Sequence, residues 1–445
     1  MLSSATPFAR GRLLLAAALL AALALPWPAR AVPSFARQTG LACSSCHTVF
    51  PQLNALGRSF KLRGYTMAAH KPEYKQLQEA EYAPISVMFQ AAHTAFRERL
   101  PDGTSSDTRL PQELSLFYAG RISNHMGAFL QVTYDGAEDH LGMDNVDIRW
   151  ADQGKGGLEN LTYGLTLNNN PTVEDVWNST PAWGYPFTES AAAPAPGASP
   201  IIEDALAQQV AGLGAYASWN NRFYGDVTLY RASQLGGPAP ADSSAENVVN
   251  GVAPYARVAY VAEWGANEWT VGGFGMKADI SPGGGEPLSG PTNQFRDLGL
   301  DTQFLRYAGS GILELHGRWI QERQTWNAGY AADETANLRD NLTSLHLDAT
   351  WLYNRQVAGT VGYFASSGTR DTTLYAPSEV EGSRAGVPDS DGMIFEADYY
   401  PWYNTRFSAQ YKVYSKFNGA ASNYDGFGRD AQANNSLYLN VWLMF

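Results

Sequence analysis

The chain has 445 residues, a formal net charge of −12, and is 44% hydrophobic and 12% aromatic. Past the N-terminus no apolar run approaches the ~20 residues of a helical membrane span, and the acidic balance excludes nucleic acid and favours cationic partners. A mixture of 24 Tyr, 12 Trp and 43 Gly with polar residues instead suits strands whose two faces meet different solvents.

In chain order, residues 1–31 read as an export signal. Arg10 and Arg12 form the basic region, 13–25 the apolar region, and Ala29-Arg30-Ala31 the cleavage site. The apolar run is too short to serve as an anchor. Removing the signal takes three arginines away, so the net charge goes from −12 to −15.

Residues 32–83 form the second unit. The only two cysteines lie in Cys43-Ser44-Ser45-Cys46-His47. A disulfide between residues so close would restrain almost no chain. A structural zinc site needs a second ligand pair, and a redox dithiol needs a βαβ setting; neither is present. The C-x-x-C-H spacing matches c-type haem attachment: two thiols add to the two haem vinyl groups, and the adjacent histidine takes one axial position on the iron. One covalent haem c is therefore the expected cofactor, bound by Cys43, Cys46 and His47. Pro51 starts a predicted helix with Leu53, Leu56 and Phe60 on one face against the porphyrin. Arg58, Lys61 and Arg63 are candidate partners for the haem propionates.

Residues 84–445 alternate as barrel strands do. At the end of the chain Leu437, Leu439, Val441, Leu443 and Phe445 share one face, and Ser436, Tyr438, Asn440, Trp442 and Met444 share the other. Sixteen strands are predicted, at 84–96, 113–123, 127–136, 144–152, 160–169, 209–220, 222–232, 252–265, 267–279, 297–308, 311–325, 341–354, 357–367, 391–402, 405–417 and 434–445. Short connections alternate with long ones at 97–112, 170–208, 233–251, 280–296, 326–340, 368–390 and 418–433. That sorting predicts an all-β, antiparallel outer-membrane barrel of a Gram-negative bacterium, with both ends on the periplasmic side. The barrel is wide enough for an aqueous lumen. The 32–83 segment either plugs it or hangs below an open pore, and its small size, with little core of its own, favours the plug.

The strand phase bears on the second iron ligand. Val87, Phe89 and Ala91 suit lipid, so Ser86, Met88, Gln90 and Ala92 face the lumen. Met88 is the favoured distal ligand over Met67 and His70. His93, His125, His140, His316 and His346 are expected in structural roles. Glu138, Asp139, Glu174 and Asp175 are candidate attractors for Fe(II), or plain solvated loop charges.

Residues 33–40 (Pro33 to Gly40) run into the cysteine motif, and Gly57-Arg58-Ser59-Phe60-Lys61-Leu62-Arg63-Gly64-Tyr65-Thr66 follows. With Asn168-Asn169-Asn170-Pro171 and Trp177-Asn178-Ser179-Thr180-Pro181-Ala182-Trp183, this resembles the fused cytochrome–porins, outer-membrane proteins of iron-oxidising bacteria. The resemblance is close over the cytochrome segment and architectural over the barrel. It implies an oxidoreductase that takes electrons from extracellular Fe(II) and passes them to a soluble periplasmic cytochrome. The competing expectations are a solute porin whose haem is structural or sensory, and a haem conduit for another donor or acceptor.

Overall fold

The computed structural model describes residues 33–68, 83–233, 247–281, 290–402 and 404–445. The export signal and His70 lie outside the described residues. Among the described residues sixteen strands close into one barrel. The first five are β1 (Ile85–Phe96), β2 (Ser106–Arg121), β3 (Met126–Asp135), β4 (His140–Gln153) and β5 (Leu161–Asn168). Next come β6 (Val210–Trp219), β7 (Phe223–Ala232), β8 (Ala253–Trp264), β9 (Asn267–Ser281), β10 (Asn293–Ala308) and β11 (Gly311–Trp326). The last five are β12 (Arg339–Tyr353), β13 (Val357–Gly368), β14 (Ser390–Trp402), β15 (Thr405–Lys416) and β16 (Ser436–Met444). Each pairs antiparallel with the next, and β16 returns to β1. Val248–Val249 adds a two-residue ladder to the top of β9.

The pleat separates two environments. In β16 the buried and exposed residues alternate from Ser436 onward, and in β1 Ser86, Met88, Gln90, Ala92 and Thr94 all point inward. Leu116, Leu165, Leu213, Leu229, Val258, Leu298, Leu300 and Leu347 stand exposed on the outside. Aromatics such as Trp219, Phe223, Trp264, Tyr353 and Phe445 ring the end where the short turns lie. An outward apolar band with an aromatic girdle and no free strand edge is what a spanning β-structure requires, and it places the chain in the outer membrane.

Several strands run further than the sequence pattern predicted, among them β10, which begins at Asn293 rather than 297. β2 begins at Ser106 rather than 113, and β4 at His140 rather than 144, which shrinks the connection between β3 and β4 to a tight turn. The added residues, Ser106-Asp107-Thr108-Arg109 and His140-Leu141-Gly142-Met143, are largely polar or irregular in pattern. They continue the ladder beyond the hydrocarbon band, where no apolar face is demanded of them. A register shift between Gln90 and Ala92 lets β2 carry Pro111 within its length.

Candidate functional site

The N-terminal segment sits inside the barrel. Its described residues hold two short helices, α1 (Pro33–Thr39) and α2 (Ala55–Leu62), with a helical turn at Cys43–Ser45 between them. α2 starts four residues later than Pro51 predicted, because Asn54 caps it: its Oδ1 accepts from the amides of Leu56 and Gly57. Gly57 packs on the cysteine motif, and a Cβ there would lie 2.3 Å from the carbonyl oxygen of Cys46.

One side of the segment is fastened to the wall and to an inward-folded loop. Arg58 pairs with Glu268 of β9, buried on both sides. Tyr65 donates to Asp147 of β4 at 2.6 Å, and Tyr216 of β6 donates to the carbonyl of Leu62 at 2.8 Å. Thr48 donates to Glu314 of β11 at 2.8 Å, and Arg355, in the turn after β12, donates to the carbonyl of Ser44 at 2.7 Å. Because Arg355 lies among the short turns, the cysteine motif lies toward the periplasmic end.

The long connection 169–209 between β5 and β6 crosses the lumen. Lys61 Nζ donates to its carbonyls at Val173 (2.6 Å) and Asp175 (3.1 Å) and stacks on the Trp183 ring at 4.7 Å. Burial pulls the Lys61 ammonium down to about 8, against the attraction of Asp147. The Asp175 carboxylate accepts from the amides of Trp177, Ser179 and Thr180 and pairs with Arg257 at 3.4 Å. Across the barrel, Glu189 meets Lys412 at 2.8 Å and Glu203 meets Arg318 at 3.3 Å.

The other side of the segment borders a cavity of about 410 Å³. Cys43, Cys46 and His47 line it, with Phe35, Phe50, Leu53, Gly57, Phe60 and Lys61 beside them. The facing wall is Met88 of β1, Phe117 of β2, Phe129 of β3, and Trp442 and Met444 of β16. These aromatics interlock: His47 and Phe50 rings are 5.0 Å apart and Phe50 and Trp442 5.2 Å, edge to face. At its outer end the cavity turns polar, at Gln90, Glu113, Gln131, Asp144 and Asn145. From Phe117 to Glu113 is ~13 Å along β2, so the cavity reaches from the periplasmic end to mid-barrel.

His47 is prepared for a ligand role. Its Nδ1 lies 3.0 Å from the Pro51 carbonyl and 3.2 Å from that of Gln52, which makes Nδ1 the protonated nitrogen and leaves the Nε2 lone pair available. Burial holds the ring below its ordinary pKa, so the imidazole is neutral. Neither cysteine is in a disulfide, and burial and the neighbouring Cys43 push the Cys46 thiol up.

The structure thus brings Cys43, Cys46, His47 and Met88 to one cavity, as the strand phase of Met88 required. Met67 is elsewhere, its carbonyl accepting from Gln38. The predicted porphyrin stripe is corrected: Leu53, Gly57 and Phe60 line the cavity and Leu56 does not, since the line of α2 turned to the cysteine motif runs through Gly57. Of the three candidate propionate partners only Lys61 lines the cavity; Arg58 is committed to Glu268 and Arg63 is exposed. Glu174 and Asp175 are buried hydrogen-bond acceptors inside the lumen, not solvated loop charges. His316 is buried against Asp348 at 3.0 Å and His93 meets Thr108 at 2.7 Å, both structural. Met444 and Trp442, which sequence reasoning had placed only on a lumen face, prove to be part of the site. Among the described residues no group of three or more His, Cys, Asp or Glu is arranged to hold a metal ion.

No family model and no curated protein matches the chain. Solved structures similar to it include OmpF of Salmonella typhi in complex with daunomycin, at 10% identity and a TM-score of 0.49, covering 81% of this chain and 97% of that one. An anion-selective porin from Comamonas acidovorans is similar at 10% identity and a TM-score of 0.47, covering 81% and 98%. A loop-deletion mutant of OmpT from Vibrio cholerae gives 10% identity and 0.46, over 81% and 98%.

Proposed function

We propose that this outer-membrane barrel binds one haem c in its lumen and passes single electrons between an extracellular donor, Fe(II), and a soluble periplasmic cytochrome. The observation that carries this reading is the placement of Cys43, Cys46 and His47 on an aromatic cavity at the periplasmic end of the barrel. The residues fit the group: two cysteines outside any disulfide at the C-x-x-C-H spacing, an imidazole with its Nδ1 already engaged by carbonyls, and apolar rings to enclose a flat macrocycle. When bound, haem c supplies one-electron redox chemistry.

The protein's own contribution is positional. Cys43 and Cys46 tether the group to a segment that Arg58, Tyr65 and Thr48 fix to the wall. His47 would hold the iron of the group, and Met88 lines the facing wall of the same cavity. Phe35, Phe50, Phe117 and Trp442 keep water from the site. Glu113 and Asp144, at the outer end of the cavity, offer carboxyl oxygens to an approaching cation. Iron need not pass the barrel, since only the electron is carried inward.

The test is stopped-flow mixing of Fe(II) with the oxidised protein, after its covalent haem has been counted by pyridine haemochrome. Reduction on a catalytic timescale supports the reading. A haem that Fe(II) leaves oxidised removes iron as donor, and a preparation without covalent haem removes the reading altogether.

A second reading draws on the architecture itself, a sixteen-stranded porin-like barrel with a loop folded into its lumen. Here the function is passive solute passage. Liposome swelling separates the two: sugar-driven swelling at porin rates favours passage, whereas silent liposomes favour the electron conduit, whose described lumen is crossed by the 33–68 segment and the 169–209 loop.

A further inference from the structure

We propose that Met444, the penultimate residue of the chain, supplies the distal thioether ligand to the haem held by Cys43, Cys46 and His47. The inference rests on the haem reading above and names a ligand from the strand that closes the barrel. Its consequence is that haem ligation would tie the N-terminal segment to β16.

At that seam Met88 and Met444 are directly opposite each other in the antiparallel register. Opposed residues on one face have Cβ atoms ~4.5–5.5 Å apart, so two thioethers stand side by side. Both are buried, at 3% and 4% exposure, and both line the cavity that holds the cysteine motif. They belong to one apolar cluster with Phe117 and Trp442, and Phe35, Cys43 and Phe50 of the N-terminal segment pack against that cluster. The methionine pair therefore faces the attachment site across the cavity. A thioether is a soft, neutral donor that carries no charge into such a site.

The two sulfurs differ in what already holds them. Met88 Sδ accepts from Gln90 Nε2 at 3.8 Å. Gln90 is itself locked, donating to Glu113 at 2.7 Å and accepting from Asn440 at 3.2 Å. Ligation by Met88 would strip that contact and leave part of a buried amide unpaired. Met444 is fixed through its backbone instead: its amide donates to the Asn404 carbonyl at 2.9 Å, and Asn404 Nδ2 donates to its carbonyl at 2.9 Å. Among the described residues no hydrogen bond engages its sulfur. A backbone held by two bonds with a free thioether on the lumen face is a preorganised ligand.

The test compares Met444→Leu and Met88→Leu in the full-length protein with its haem counted by pyridine haemochrome. The readouts are the thioether-to-ferric-iron charge-transfer band and the spin state. Heat-modifiable electrophoretic mobility reports that each barrel is closed. The expected result is loss of the band and conversion to high spin in Met444→Leu, with a thioether band kept in Met88→Leu. A band that survives Met444→Leu at full haem content overturns the assignment. So does a band lost only in Met88→Leu. Absence of covalent haem from the parent protein is a different failure, that of the haem reading, and is visible before either variant is made.

Discussion

The two sides of the N-terminal segment face walls of opposite character. Toward β4 and β8–β11 the lumen is packed with buried charge: Arg149 on Asp147 at 2.9 Å, Arg257 forked onto Asp301 at 2.6 and 2.8 Å, and Arg58 on Glu268. Toward β16, β1, β2 and β3 it is lined with Met, Phe and Trp around open space. The first wall holds the segment in one orientation. The second leaves a pocket of the size and polarity that a flat apolar group needs. Under the proposed haem reading, the charged wall registers the segment and the apolar wall receives the group it carries.

The largest effect should come from removing what the apolar side is built around. Replacing both Cys43 and Cys46 by Ser should abolish covalent haem, read by haem staining of denaturing gels, while the barrel keeps its heat-modifiable mobility. Retained covalent haem would break the assignment of that side. The charged side is broken most severely by Arg257→Met, which strands Asp301 and Asp175 in a fully buried site. A loss of ~3–5 kcal/mol is expected for removing one partner of such a pair, measured as a drop in the temperature at which the folded band disappears.

A finer probe is pH. Lys61 joins the two sides, and its pKa is lowered by burial from 10.5 to about 8. Between those values the folded protein binds fewer protons than the unfolded chain, so stability rises with pH across the window. The penalty for burying the charged amine is complete below about 8 and gone above 10.5. Relative to Lys61→Met, the parent protein should gain up to ~3 kcal/mol between those limits. A difference that stays flat with pH would return Lys61 to the class of ordinary lysines. The smallest effect is Asn54→Ala, which removes the cap of α2 and should cost ~1 kcal/mol without changing haem content, as read by thermal unfolding.

The barrel was legible in the sequence because its signal is repeated: sixteen segments of period two and a sorted set of short and long connections. Where polar residues extended β2 and β4 above the hydrocarbon band, that signal faded, and the predicted ends fell several residues short. The C-x-x-C-H motif is visible in the sequence because Cys43, Cys46 and His47 are neighbours, and the structure places all three on one cavity. The facing wall was only half legible. The phase of β1 and β16 placed Met88, Trp442 and Met444 on the lumen side, but nothing local states that residues 356 positions apart are cross-strand neighbours. Glu174 and Asp175 illustrate the opposite error: carboxylates in a polar connection look solvated until the loop is seen folded inward onto Arg257, Tyr230 and backbone amides.

By itself, then, the sequence determined the barrel class and which face of each strand looks inward, because both are set by spacing along the chain; the haem proposal starts from the spacing of Cys43, Cys46 and His47. Tertiary structure alone decided that the 33–68 segment lies within the lumen, that the cavity sits toward the periplasmic end, and that the first and last strands present two thioethers to it. Those are consequences of barrel closure, in which the register of the final pairing fixes neighbours that no local pattern encodes.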